Sequence, residues 1–255
     1  MHTHRAKLYL ADDRRLTPRL RPSAGDHLID SRLLVHPLLA RVRALGEHSA
    51  AADPRTQKVA AQTGVPIYLV MFVVLIEDKR FWSHFGTDPI AIARACYMNA
   101  RRRGRLQGGS TIPEQLIKMR TNLYGRSVTN RLRRSLAAML SVANSTKVGL
   151  LCEYLETVYF GRDAYGATDA ARMYFSKPAT ALTRAESFFL AERIALPNAV
   201  RRGRIRNLLF RDAIRALLWP SLARLPQVYG MTFGPSAEKD VAEEIRPWLG
   251  ESHAG

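Results

Sequence analysis

Hydrophobic residues recur at intervals of three and four along most of the chain, which is the pattern of amphipathic α-helices. The segment 67–76 differs because it is apolar on every side, as a buried helix or a buried strand would be. Since no turn residue follows through Trp82, we predict one helix that continues to that residue and enters a loop near Gly86. Strict alternation of apolar and polar residues is nearly absent, so the pattern predicts a mainly α-helical fold.

Prolines and capping residues indicate where several helices begin. Pro89 and Pro113 suit the first turn of a helix, where no backbone N–H is needed. Thr183 and Glu186 form a capping-box pattern, in which each side chain can bond the other residue's free backbone N–H. The other predicted helices lie at 34–45, 128–142, 150–159, 164–175, 187–196, 201–218 and 237–248.

Charge and the pattern of apolar residues divide the chain into three parts. They are a basic N-terminal arm with a short helix at 1–64, a central module at 65–200 and a basic helical extension at 201–255. With 39 Lys and Arg against 22 Asp and Glu, the formal net charge is +17, which favours polyanionic partners. From Pro89 to Cys152, Glu114 is the only acidic residue among 12 basic ones. This one-sided charge predicts a groove for an anionic ligand, and a solvated Arg-rich face is the alternative.

Cysteine content and hydropathy limit the remaining classes. Two cysteines, Cys96 and Cys152, form neither a disulfide framework nor a metal-ligand cluster, so we interpret them as core residues. The N-terminus lacks the apolar segment of a signal peptide. The longest apolar run, 65–76, has 12 residues, whereas a bilayer span needs about 20. We therefore expect any membrane association to be peripheral or to depend on something outside this chain.

Four short motifs occur in order within residues 65–200. The first places two carboxylates directly after the apolar segment, and the second is a Gly-rich turn that opens onto an apolar-periodic segment. They are Glu77-Asp78-x-x-Phe81-x-x-His84-x-Gly86-x-Asp88; Gln107-Gly108-Gly109-Ser110-Thr111-Ile112-x-x-Gln115-Leu116-x-Lys118; Tyr154-Leu155-x-Thr157-Val158-Tyr159-Phe160-Gly161 with Ala170-Ala171-Arg172-x-Tyr174-Phe175-Ser176-Lys177; and Leu182-Thr183-x-Ala185-Glu186 with Leu196-Pro197-Asn198. A single match is weak, whereas four in order are a specific signal.

This set resembles the motifs of the family 51 glycosyltransferases, the peptidoglycan glycosyltransferase module of penicillin-binding proteins and monofunctional transglycosylases. The resemblance implies an all-α, lysozyme-like module, here with N- and C-terminal helical extensions. It implies polymerisation of lipid II, a disaccharide-peptide on a polyprenyl diphosphate, into glycan strands with release of the diphosphate. The expected location is the outer face of the bacterial cytoplasmic membrane, peripherally on its anionic surface. No S-x-x-K serine motif accompanied by the partner motifs of a transpeptidase occurs, so we expect any enzymatic activity to be monofunctional.

The resemblance also assigns site residues. Glu77 matches the general base that deprotonates the acceptor's 4-hydroxyl as it attacks the donor's anomeric carbon. The implied substrate contacts, whose cations would hold the leaving diphosphate, are Asp78, His84, Ser110, Thr111, Gln115, Lys118, Arg133, Arg134 and Lys177. Structural alternatives stay open for two of them: His84 could pin the loop near Gly86, and Lys177 could be an ordinary surface residue.

The third motif departs from the family pattern. A second glutamate normally follows a basic pair by three residues, but here the pair is Arg133-Arg134 and the position holds Ala137. In the family that glutamate helps organise the donor's diphosphate with a divalent cation, Mg²⁺ or Mn²⁺. We hypothesise that Glu114, beside the Gly-rich turn, partly replaces the missing carboxylate as a second catalytic residue.

Three other functions remain as alternatives. A catalytically impaired member could bind lipid-linked precursor or glycan without polymerising it. A basic nucleic-acid-binding protein would suit the arginines at 201–215, but no helix-turn-helix, zinc or stacking-aromatic pattern accompanies them. A hydrolytic, lysozyme-like enzyme usually needs two carboxylates flanking the bond, and the motifs place only Glu77.

Overall fold

The computed structural model describes residues 53–101, 109–125 and 127–250, and helices dominate these ranges. The predicted all-α fold is confirmed, since the only strands in the described residues form one short antiparallel hairpin. The predicted helix at 34–45 and the arm around it lie outside the described residues. All described residues belong to one structural unit.

Short connections join the successive helices. The helices are α1 (Pro54–Thr63), α2 (Ile67–Glu77), α3 (Pro89–Arg101), α4 (Ile112–Thr121), α5 (Val128–Asn144), α6 (Lys147–Thr157), α7 (Ala167–Phe175), α8 (Arg184–Ala195), α9 (Arg204–Leu209), α10 (Asp212–Leu218), α11 (Leu225–Phe233) and α12 (Pro235–Leu249). The hairpin is formed by β1 (Tyr159–Gly161) and β2 (Ala164–Tyr165), and 3₁₀ turns occupy Ala179–Ala181 and Trp219–Arg224.

Helix α2 lies at the centre of the core, because a helix that is apolar on every side must be covered on every side. Helix α8 packs along it. The Phe72 and Phe188 rings meet edge to face at 5.3 Å, and Arg184 donates to the Tyr68 hydroxyl at 2.6 Å. Since residues 68 and 72 meet residues 184 and 188, the two helices run parallel in matched register.

Helix α2 ends at Glu77, so the predicted continuation to Trp82 is wrong. Asp78 leaves the helical conformation, with φ −152° and ψ 72°, and the following residues form turns. The cause is tertiary: the Asp78 carboxylate accepts the backbone N–H of Ile112 from α4. Such a partner 34 residues away leaves no local signal in the sequence.

The helix predicted at 150–159 ends earlier, at Thr157, and the helix predicted at 164–175 begins later, at Ala167, because residues 158–166 form the hairpin and its flanks. Gly166, at φ +80°, marks the start of α7; a Cβ there would stand 2.4 Å from the Glu156 carbonyl oxygen. The capping box of Thr183 and Glu186 is confirmed, with both bonds formed at the start of α8.

The single basic helix predicted at 201–218 is also wrong. Helices α9 and α10 are separated at Arg211, which has extended backbone (φ −91°, ψ 112°) and donates its guanidinium to the Leu75 carbonyl of α2. The predicted helix at 237–248 is confirmed as α12. The described part of the C-terminal region packs on the core, where the Tyr229 and Phe189 rings lie 4.9 Å apart. The domain boundary at residue 200 stays a prediction.

Candidate active site

Glu77 is the last residue of α2, and its carboxylate meets the second motif. Gln115 of α4 donates from Nε2 to Glu77 Oε2 at 3.0 Å. The other end of that amide, Oε1, accepts from the Tyr154 hydroxyl of α6 at 2.7 Å. Burial raises the pKa of Tyr154 well above its ordinary value, so the hydroxyl keeps its proton and acts as the donor. The N–H end of the Gln115 amide therefore faces Glu77.

The pKa of Glu77 is raised above its ordinary value, chiefly because burial disfavours the charged carboxylate. The Gln115 hydrogen bond and the charge of Arg204 oppose this rise, whereas the charges of Asp78 and Glu192 add to it. A carboxylate with a raised pKa is a stronger base than an ordinary one at the pH where both are ionised. These properties suit the role predicted for Glu77.

Asp78 joins the first motif to the second. Its Oδ2 lies 2.8 Å from His84 Nε2 and accepts the Ile112 N–H at 3.0 Å, so the carboxylate satisfies one of the free donors at the start of α4. Asp78 and His84 are both buried, and His84 Nδ1 has no hydrogen-bond partner among the described atoms. These contacts pin the loop after α2. The substrate contacts predicted for the two residues stay predictions.

Gly86 lies where this loop, the Gly-rich turn and α5 converge. Its φ is +90°, and a Cβ would stand 2.6 Å from the carbonyl carbon and oxygen of Ala138. Its own carbonyl accepts from Thr111 Oγ1 at 2.5 Å. Glycine is required here because the backbone is left-handed and α5 lies too close for any side chain.

Lys147, in the first turn of α6, contacts the loop that follows Glu77. Its ammonium donates to the carbonyls of Phe81 and His84 and lies 5.2 Å from the Phe81 ring centroid. Burial lowers the pKa of Lys147 to about 8, and the charge of Asp78 opposes that shift. The sequence predicted only one more basic residue here, because nothing local identifies these carbonyls as its partners.

Glu114 caps α4. Its Oε2 accepts the Thr111 backbone N–H at 3.3 Å in a complete capping box, and its Oε1 accepts from Ser135 Oγ of α5 at 2.8 Å. Successive helix residues point about 100° apart, so Glu114 faces α5 while Gln115 faces Glu77. Burial raises the pKa of Glu114. These are the contacts of a structural cap, and the catalytic role of Glu114 stays a prediction.

The basic pair of α5 has two different environments. Arg134 donates from Nη1 to the carbonyls of Leu123 and Gly125, at 2.8 and 3.0 Å. Arg133 is exposed on the same helix. Arg134 therefore holds the segment after α4, whereas Arg133 is accessible to a substrate anion.

Ser110 precedes the capped start of α4, whereas Lys118 lies in the last turn of that helix. Ser110 is exposed, and the half-buried Lys118 places its ammonium 5.1 Å from the Tyr124 ring centroid. The arginines predicted between the first two motifs lie outside the described side chains; they are Arg101, Arg102, Arg103 and Arg105.

Lys177 lies at the opposite end of α2 from Glu77. Its Nζ pairs with Glu186 Oε2 at 2.6 Å, in the first turn of α8, and α8 begins beside Tyr68. Tyr68 and Glu77 are nine residues apart, about 13 Å along the helix axis. Any contact of Lys177 with substrate would therefore be remote from the reacting atoms.

A buried charge cluster at the end of α8 was missed by sequence reasoning. Glu192 Oε1 accepts from Arg204 Nε at 2.6 Å, and Glu192 Oε2 accepts from the Tyr229 hydroxyl at 3.0 Å and from Arg193. Glu192 and Arg193 are both fully enclosed by the protein. The adjacent residues Glu192 and Arg193 are the only local signal of this cluster in the sequence, because Arg204 and Tyr229 come from later helices.

Comparison with known proteins agrees with the motifs, since the family model described as Transglycosylase matches residues 44–214. The chain belongs to the transglycosylase family. Penicillin-binding protein 1A of Aquifex aeolicus is 37% identical over 135 residues, which is 53% of this chain and 18% of the relative. Penicillin-binding protein 1F of Bacillus subtilis is 30% identical over 176 residues, which is 69% of this chain and 24% of the relative. The Biosynthetic peptidoglycan transglycosylase of Klebsiella oxytoca is 36% identical over 137 residues, which is 52% of this chain and 54% of the relative. The chain thus spans about half, or less, of the length of these relatives.

The divalent cation implied by the family resemblance stays a prediction. Residues 53–101, 109–125 and 127–250 contain no group of three or more His, Cys, Asp or Glu side chains that could hold a metal ion. Ala137 of α5 stands at the third-motif position and offers no ligand atom.

The part of this transglycosylase that the structure describes has no single helix both long and apolar enough to cross a membrane. Helices α1 and α2 meet those criteria only as a pair, and they are bent by 119° at the break between them.

Proposed function

We propose that this transglycosylase polymerises lipid II into glycan strands and releases polyprenyl diphosphate. The observation that carries the proposal is the environment of Glu77: a carboxylate of raised pKa at the end of a buried helix, oriented by Gln115 of the second motif. Relatives named as peptidoglycan transglycosylase and as penicillin-binding proteins support the substrate class.

In this reaction Glu77 acts as the general base. It takes the proton of the acceptor's 4-hydroxyl as that oxygen forms a bond to the donor's anomeric carbon. The bond between the anomeric carbon and the diphosphate oxygen breaks, and its electron pair leaves with the diphosphate. Gln115 keeps one Glu77 oxygen bonded, which orients the other toward the acceptor. Protonated Glu77 then returns its proton to solvent.

The departing diphosphate needs positive charge beside it. The described cations that the motifs assign to it include Lys118 and the exposed Arg133, and Ser110 adds an exposed hydroxyl. Glu114 is the only acid in 89–152, and it is buried. The resulting positive potential favours a diphosphate-linked sugar over a neutral one.

A second candidate is binding of the lipid-linked precursor without polymerisation. Two observations favour it: the third motif has Ala137 in place of its glutamate, and both oxygens of Glu114 are engaged by Thr111 and Ser135. On this alternative the groove holds the diphosphate, but the second carboxylate that organises it is missing.

Incubation of the purified protein with lipid II in detergent, with and without Mg²⁺, distinguishes the two candidates. Glycan polymer from the wild type and none from Glu77→Gln is the result expected for a polymerase. Binding of lipid II with no polymer from either protein would contradict polymerisation and support the second candidate.

The stability of Glu77→Gln shows whether its loss of polymerisation could result from loss of folding. The folded-state pKa of Glu77 is raised, so the folded protein binds more protons than the unfolded chain above the ordinary glutamate pKa, and stability falls there as pH rises. Glu77→Gln removes that loss. Its melting temperature should match or exceed the wild-type value near neutral pH, and the difference should shrink in acid.

The replacement hypothesis for Glu114 has its own test. Glu114→Gln keeps an oxygen that can accept from Ser135 while removing the charge. A large loss of polymerisation with an unchanged melting temperature would support a catalytic carboxylate. Unchanged activity would contradict the hypothesis and leave Glu114 as a helix cap.

We further propose that α5 docks this chain on an anionic membrane surface, at the outer face of the cytoplasmic membrane. Leu132, Leu136 and Leu140 follow one another at four-residue spacing and are 56–65% exposed, with Arg133 exposed beside them. An apolar stripe flanked by cations is typical of a helix lying in a lipid interface. The lipid tail of the substrate would reach the groove from the same surface.

Co-sedimentation with vesicles tests this docking. Leu136→Ser should weaken binding to phosphatidylglycerol-containing vesicles, and binding to pure phosphatidylcholine should be weaker for every protein. Met231→Ser is the matched control, because Met231 is equally exposed on α11 but lies outside the stripe. Equal binding of both variants and the wild type would contradict the proposal.

A further inference from the structure

The C-terminal arginines reach the end of the helix that carries Glu77. Arg211 caps the Leu75 carbonyl of α2 at 2.5 Å, and Arg204, seven residues earlier, donates from Nε to Glu192 Oε1 at 2.6 Å. The matched register of α2 and α8 puts Glu192 level with residue 76, one position from Glu77. Segment 204–211 and the end of α8 therefore surround the end of α2.

Glu192 is held firmly in this position. It accepts hydrogen bonds from Arg204, Tyr229 and Arg193, and it is almost completely buried. Arg193 also donates from Nη1 to the Ala199 carbonyl at 2.7 Å, so its position is fixed as well. One carboxylate between two guanidiniums leaves the cluster with a net charge of +1. A buried positive cluster is stabilised by a further negative charge beside it.

We propose that Arg204, held by Glu192, is a positioning residue whose charge keeps Glu77 ionised for its role as base. The proposal rests on the function proposed for Glu77. It assigns the arginine-rich segment after residue 200 a role at the reaction centre, where sequence reasoning predicted a separate basic extension.

The electrostatics at Glu77 support this assignment. Burial raises the pKa of Glu77, and the charge of Arg204 is the largest ionic contribution that opposes the rise. Glu192 acts in the other direction, as does Asp78. The charged or polar groups around Glu77 are Asp78 on its own chain segment, Gln115 of α4, Tyr154 of α6, Glu192 of α8, Arg204 of α9 and Arg211 at the neighbouring Leu75 carbonyl.

Removal of the Arg204 charge and removal of the Glu192 charge should shift the pH dependence of polymerisation in opposite directions. Arg204→Met removes a positive charge and should move the acid limb of the polymerisation rate upward by about half a pH unit or more. Glu192→Gln removes a negative charge and should move it downward. Arg204→Lys retains the charge and should lie close to the wild type. Two variants that merely loosened the fold would lose activity without opposite shifts.

Arg202→Met is the matched control. Arg202 lies two residues away in the same segment but is 76% exposed and pairs with Asp240, whereas Arg204 is 24% exposed. Its loss should leave the acid limb unchanged.

The pH dependence of carbodiimide labelling at Glu77, read by mass spectrometry, follows the same ionisation without requiring activity. It separates failure of this inference from failure of the proposed function. Opposite shifts in labelling would support the inference even in a protein that makes no polymer. Superimposable labelling and rate profiles for Arg204→Met, Glu192→Gln and the wild type would overturn it. If Arg204→Met does not fold, the downward shift of Glu192→Gln alone decides.

Discussion

The Tyr154 hydroxyl affects the pKa of Glu77 through the Gln115 amide, and the variant Tyr154→Phe tests this effect. Tyr154 is completely buried, and its hydroxyl holds the Oε1 end of the Gln115 amide. Without the hydroxyl, the amide can turn and present Oε1 to Glu77. Only a protonated carboxyl can donate to that oxygen, so the change favours the protonated, inactive form of the base.

The size of the effect follows from the bond that is removed. One neutral hydrogen bond contributes about 0.5–1.5 kcal/mol net, and the protonated form of Glu77 gains at most that amount. Since one pKa unit corresponds to about 1.36 kcal/mol, the pKa of Glu77 should rise by about 0.4–1 unit. On the acid side of the optimum, the polymerisation rate should fall by about 2.5- to 10-fold.

The assay is the pH dependence of lipid II polymerisation, with urea unfolding measured in parallel. Tyr174→Phe is the matched control, because its hydroxyl donates to the Phe160 carbonyl at 2.9 Å, away from Glu77. Both variants should lose about 0.5–1.5 kcal/mol of unfolding free energy. Only Tyr154→Phe should shift the acid limb. Coincident acid limbs for both variants and the wild type would refute the reasoning.

Two further predictions concern the loop after Glu77. Gly86→Ala should lower the free energy of unfolding by about 2–5 kcal/mol, from about 1–2 for the left-handed φ and about 1–3 for overpacking against Ala138. Gly64→Ala, at φ +65° with open space around it, should lose only the first part, and equal losses in urea would contradict the argument. Lys147 has a pKa of about 8 in the folded state against 10.5 ordinarily, so the unfolded chain binds more protons in that window and stability rises with pH. Thermal melts of Lys147→Met should lack this rise, and an unchanged slope would count against it.

Local patterns in the sequence predicted several of the helices. Helix α5 and the start of α4 follow from three- and four-residue spacing and from Pro113, which are properties of neighbouring residues. The capping box at Thr183 was predicted for the same reason, since its two bonds span only three positions. The motifs also identified the family, because they occur in order along one chain.

Bonds between distant residues were not predictable in the same way. The end of α2 at Glu77 depends on an Asp78 contact with Ile112, and the break at Arg211 depends on the Leu75 carbonyl. Each partner is one of many equivalent backbone groups, so the sequence contains no signal that selects it.

The same distinction between local patterns and distant contacts applies to the candidate site. The sequence by itself determined that a carboxylate follows a buried apolar segment and that a Gly-rich turn lies downstream, because both are local patterns. Only the tertiary structure decided that Gln115 orients Glu77, that Glu114 faces α5, and that Lys177 lies at the far end of α2. The physical reason is that a side chain's charge and hydrogen-bonding capacity belong to its residue type, whereas its partner and its pKa depend on the elements packed around it.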